Sequence, residues 1–165
     1  MCVQFCVSKS EEYAKFRLIA VLALTFGLSA FASDAAKKPC TKSEAMQADK
    51  GVDSLSDWDH VYRSYRKFSQ CDDGSIAEGY SDAVGKLLAN DWGQLHRLLA
   101  LTKTDKGFQR FVVKHIDETL PSDTLQKISS NARSSCPAGA QRLCGMIAGA
   151  ASGKSASGSD SRQDK

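Results

Sequence analysis

Across residues 54–151 the apolar side chains return every three or four positions, and no convincing stretch alternates apolar with polar residues as a half-buried strand does. In SLSDWDHVYRSYRKF, residues 54–68, Leu55, Trp58, Val61, Tyr62, Tyr65 and Phe68 fall on one side of a helix, and Ser54 with Asp57 has the spacing of a capping box. The next stretch repeats the design, with Ser75 and Glu78 as the box and Ile76, Tyr80, Ala83, Val84, Leu87 and Leu88 as the apolar face. A third helix is expected after Asn90 or Asp91, with Trp92, Leu95, Leu98 and Leu99 as core. A fourth spans residues 105–120 through Phe108, Phe111, Val112, His115 and Ile116, and Pro121 ends it. Ser122 can cap a fifth through Leu125 and Ile128, and residues 137–151 can form a sixth. The pattern predicts an all-α, compact bundle of five or six short helices stapled by disulfides.

The ends read differently. Lys15 and Arg17, the apolar run over residues 18–27 and the Ala30-Phe31-Ala32 site form a secretory signal, so residues 1–32 are an N-terminal extension and signal peptide. Cys2 and Cys6 go with it and stay out of the fold. Residues 33–52 are a polar segment with little pattern, tacked to the domain through Cys40. Residues 53–150 are the helical domain, and residues 151–165 are a disordered Ser/Gly-rich tail. With the signal removed, no membrane segment remains, and the chain is expected to be exported; the periplasm is the location that the resemblance described below implies.

Four cysteines remain after that trimming: Cys40, Cys71, Cys136 and Cys144. An even number in an oxidising compartment predicts two disulfides, with three possible connectivities. Zinc is the competing use, but there is no C-x-x-C pair and no cluster of histidines. On one straight helix Cys136 and Cys144 would stand about 12 Å apart, too far for a bridge. Links from Cys40 and Cys71 to the two C-terminal cysteines are therefore favoured, unless a bend after Pro137 brings Cys136 and Cys144 together.

Residues 53–144 hold 12 Lys or Arg and 12 Asp or Glu, a balance that argues against nucleic acid or an anionic membrane as partner. The stretch CDDGSIAEGYSDAV, residues 71–84, invites a metal reading, but it lacks the alternating acidic ligands and closing glutamate of a calcium loop. Asp72 and Asp73 are instead expected at the positive end of the helix that follows, with Gly74 permitting the turn. No cofactor is implied. His60 and His96 should face solvent, and His115, on an apolar face, should be a hydrogen-bonded core residue. Glu78 and Asp82 sit too close to flank a glycosidic bond. With no assembled catalytic set, the chain reads as a binding protein and not an enzyme.

Three blocks carry a resemblance: residues 58–92, built around CDDGSIAEGYSDAV; residues 111–132, FVVKHIDETLPSDTLQKISSNA; and residues 136–144, CPAGAQRLC. They resemble the periplasmic immunity proteins of type VI secretion system amidase effectors, over about residues 54–145. The resemblance implies a small all-helical protein, usually dimeric, without activity of its own. Its partner would be a papain-like peptidoglycan amidase whose active-site groove it occludes. The extended start and the Ser/Gly tail depart from the compact family pattern. A competing reading is a periplasmic envelope-stress protein that binds peptides or cell-wall fragments in a helical groove.

Two further expectations follow. Tyr62, Tyr65, Tyr80, Trp92 and Phe108 exceed what one slim bundle needs, which with the resemblance points to a homodimer. An occluding segment should protrude from a helix connection. The connection TKTDKG, residues 102–107, is favoured over DETLPSD, residues 117–123, because Lys103, Thr104, Asp105 and Lys106 have no evident folding task. Gln94 and Arg97 would form the supporting rim.

Overall fold

The computed structural model describes residues 38–153. The signal peptide expected over residues 1–32, Cys2, Cys6 and residues 154–165 of the tail lie outside the described residues. Among those described there are seven α-helices and no strand: α1 Lys42–Val52, α2 Trp58–Phe68, α3 Gly74–Asn90, α4 Leu95–Thr104, α5 Lys106–Lys114, α6 Ser122–Ser134 and α7 Gln141–Ala151. Short 3-10 turns at Ser69–Cys71 and Trp92–Gln94 precede α3 and α4. Among the described residues no helix is long and apolar enough to cross a membrane.

The centre is α3, which packs against α1, α2 and α6, while α6 and α7 pack on one another. Its apolar face is the one read from spacing: Ile76, Tyr80, Ala83, Val84, Leu87 and Leu88 are all buried. Around it runs an aromatic chain. Tyr62 meets Phe108 edge-on with ring centroids 4.8 Å apart, Tyr65 lies 4.9 Å from Phe111, and Phe111 lies 4.9 Å from Tyr80. Trp92, half-buried, donates its indole N–H to the Ser135 carbonyl at 2.8 Å. The five large residues that suggested a second copy thus all make contacts within one chain.

Several boundaries differ from the expected ones. The polar segment 33–52 contains α1, begun by a capping box in which Thr41 accepts from the Glu44 N–H and Glu44 accepts from the Thr41 N–H. Ala48 is fully buried on this helix. The helix lies so close to α3 that a Cβ on Gly79 would stand 2.6 Å from Val52 Cβ. Ser54 and Asp57 do not form a box: Ser54 bonds the Gly51 carbonyl, and Asp57 alone caps α2 by accepting from His60 N–H at 2.7 Å. Ser75 and Glu78 do not form one either. Asp73 is the cap of α3, Ser75 reaches Asp49, and Gly74 takes φ 52°, a left-handed conformation suited to glycine. The fourth predicted helix ends at Lys114, well before Pro121, because the chain turns through His115 and brings Leu120 against Gly85.

The favoured disulfide links are also corrected. Among the described residues the bridges are Cys40–Cys71 and Cys136–Cys144. The straight-helix distance does not apply, because α7 starts only at Gln141. The turn after Pro137, with Gly139 at φ 79°, folds Cys136 back until its Cα is 6.1 Å from that of Cys144. Cys40–Cys71 fastens the start of α1 to the 3-10 turn before α3.

Candidate functional site

The chemistry-bearing side chains that meet in the interior are Asp72, Ser81 and His115. The 3-10 turn at Ser69–Cys71 aims Asp72 inward, so it does not stand beside Asp73 at the end of α3 as the sequence suggested. The Asp72 carboxylate is 6 % exposed and binds Lys114 Nζ at 2.7 Å, while its other oxygen lies 3.2 Å from His115 Nε2. The opposite ring nitrogen, Nδ1, is 3.0 Å from Ser81 Oγ. Burial pushes the Asp72 carboxyl up, but the contacts from His115 and Lys114 outweigh it and hold the group at about 2. Phe111 and Tyr80 close over the imidazole, with centroids 4.4 and 5.6 Å away.

These are the residue types of a hydrolytic triad, but the arrangement works as a clamp. Ser81 and His115 are 4 % and 1 % exposed, so no substrate carbonyl reaches Ser81 Oγ in this conformation. Asp72 Oδ1 and His115 Nε2 are close without the alignment of a hydrogen bond. The network ties the entry of α3 to the exit of α5, joining two of the blocks that carry the resemblance. Spacing along the chain gives no sign that Asp72 and His115 meet. The one sequence signal was a histidine on an apolar face, which needs a buried polar partner. Among the described residues no three metal-ligating side chains gather.

The residues expected to touch a partner do not form a loop. Thr104 is the last residue of α4 and Lys106 the first of α5, so only Asp105 separates the helices. Asp105 has a clear folding task. It caps α5 by accepting from Phe108 N–H at 2.9 Å, accepts from Tyr62 Oη at 3.3 Å and faces Arg66 at 3.5 Å. Lys106 donates to the Thr102 carbonyl, and Thr104 to that of Leu101. What the structure does gather is a solvent-facing side of α4, where Arg97, Lys103 and Thr104 are exposed together with His96 and Ala100. Arg97 is steadied by two bonds to Asp59, and Gln94 at the base of the helix bonds Asp91.

The connection after α5 borders a different feature, an open groove of about 860 Å³. Val113, Ile116, Leu125 and Met146 form its floor, and Arg110, Arg142 and Glu118 stand on its rim. The groove arises only when α5, α6 and α7 come together, so no local pattern announced it.

The chain matches no protein-family model, no curated protein and no solved structure.

Proposed function

We propose that this chain is an exported immunity protein that binds a papain-like peptidoglycan amidase of a type VI secretion system and covers its active site in the periplasm. The observation that carries the exported half of this reading is the pair of disulfides, Cys40–Cys71 and Cys136–Cys144, in a compact helical body. Such bridges persist in oxidising compartments. The amidase half rests on the resemblance. Its blocks supply the Asp72–His115 clamp and the Cys136–Cys144 bridge, which are scaffold features, and scaffold similarity leaves the partner surface free to vary.

The exposed side of α4, with Arg97, Lys103 and Thr104, flanked by Gln94, Asp105 and Lys106, is the surface we assign to the amidase. The test is calorimetric binding to a Cys/His amidase encoded in the adjacent reading frame, alongside survival of cells that export that enzyme. Arg97→Glu combined with Lys103→Glu should weaken binding by at least about 2 kcal/mol, the scale of an interface hot spot, with helicity unchanged. A parent protein that neither binds nor protects would end the amidase reading. A variant that binds as the parent does would move the surface elsewhere. The implied two-fold dimer is part of the proposal, and light scattering that finds only monomer at micromolar concentration would remove it.

A further inference from the structure

The groove beside α5 and α7 has features that the packing of the chain does not account for. At about 860 Å³ it lies within the size range of small-ligand sites. Gly145 sits inside α7, where glycine is a poorer helix former than alanine. A Cβ there would meet nothing within 4 Å, so no neighbour requires the glycine. It does leave this wall of the groove low enough for a ligand to lie against the helix backbone. The opposite floor is apolar, and Met146 is an adaptable side chain.

The rim charges are unequal in their commitments. Lys114 is taken up by Asp72, and the Asp117 carboxylate by the backbone and hydroxyl of Thr119. Arg110 and Arg142 are exposed and take part in none of the ion pairs or side-chain hydrogen bonds among the described residues. Two uncommitted guanidinium groups over an apolar floor complement a carboxylate attached to an apolar body. Glu118 on the same rim disfavours a ligand with several negative charges. An acyl chain needs an enclosing apolar channel, whereas an open groove edged by charges lets a peptide keep its backbone solvated while its side chains reach the floor.

We propose that this groove binds the carboxyl-terminal end of an apolar peptide, with Arg110 and Arg142 holding the terminal carboxylate and Val113, Ile116, Leu125 and Met146 receiving the side chains. The site is separate from the α4 surface and does not depend on an amidase being the partner.

Titration calorimetry of the full chain tests this with three probes: an acetylated alanine/leucine pentapeptide with a free carboxyl terminus, its C-terminal amide, and dodecanoate. The free acid should bind at least about tenfold more tightly than the amide, the loss expected for one charge-assisted contact. Arg110→Gln and Arg142→Gln should each weaken the acid by about that factor while leaving the amide unchanged, and Gly145→Leu should weaken both peptides. Equal binding of acid and amide, no binding up to about 1 mM, or a Gly145→Leu variant that binds as the parent would overturn the proposal. So would dodecanoate outcompeting the peptide, which would make this an acyl site. The comparison of acid with amide uses the parent protein, so it holds even if a variant folds poorly.

Discussion

At the scale of single residues, Asp72 is the group on which most depends. Its carboxyl is held at about 2 against an ordinary 3.8, so it binds protons less readily in the folded chain than in the unfolded one. The stability this contributes is present above the ordinary value and is lost as pH falls from about 4 towards 2. Urea unfolding at a series of pH values should show that decline, and Asp72→Asn should flatten it. At neutral pH the same substitution should cost about 2 kcal/mol, since it removes the largely buried carboxylate that binds Lys114. A variant as stable as the parent at pH 7 would mean that Lys114 and His115 are satisfied without the carboxylate. Asp105 offers a second test. Replacing it with alanine removes the cap of α5 together with the contacts to Tyr62 and Arg66, and thermal unfolding should report a loss of about 1–2 kcal/mol.

Helices test the packing through their glycines, which are not equivalent. Gly79→Ala should destabilise by about 1–3 kcal/mol although alanine is the better helix former, because the new methyl drives against Val52 and lifts α1 from α3. Gly145→Ala, facing open space, should stabilise the ligand-free protein by up to about 1 kcal/mol. Denaturation midpoints of the two variants should move in opposite directions. The same contrast explains which elements could be read from sequence. The buried side of α3 is large and regularly spaced, so periodicity finds it. That of α1 consists of Ala45, Ala48 and Val52, whose small volumes resemble a polar linker. Spacing misplaces a cap where two acceptors lie within a few residues, as with Ser54 and Asp57, since it does not say which one meets the free N–H groups. The exit of α5 was invisible because it is set by tertiary partners: Asp72 and Ser81 for His115, and the space over Gly85 for Leu120. The candidate α4 surface was only half legible. Its polar residues stood out, but Asp105 looked idle because its partners Tyr62 and Arg66 lie some forty positions earlier.

For the whole molecule, the bridges divide the work unequally. Cys40–Cys71 closes a loop with sequence separation 31 and holds α1, whereas Cys136–Cys144 spans only 8 and shapes the turn into α7. Loop-closure entropy alone assigns about 3.7 kcal/mol to the first and about 2.5 kcal/mol to the second. Replacing each pair by serine and measuring equilibrium unfolding should rank them in that order. A larger loss from the short bridge would mean that the turn after Pro137 matters more than chain entropy. The connectivity also bears on how the native protein is reached. Each bridge joins a cysteine to the next one along the folded domain, and neither encloses the other. A chain threaded amino-terminus first into an oxidising space would therefore offer its thiols in the order in which they must pair, so a simple oxidase would suffice and no reshuffling catalyst would be called upon.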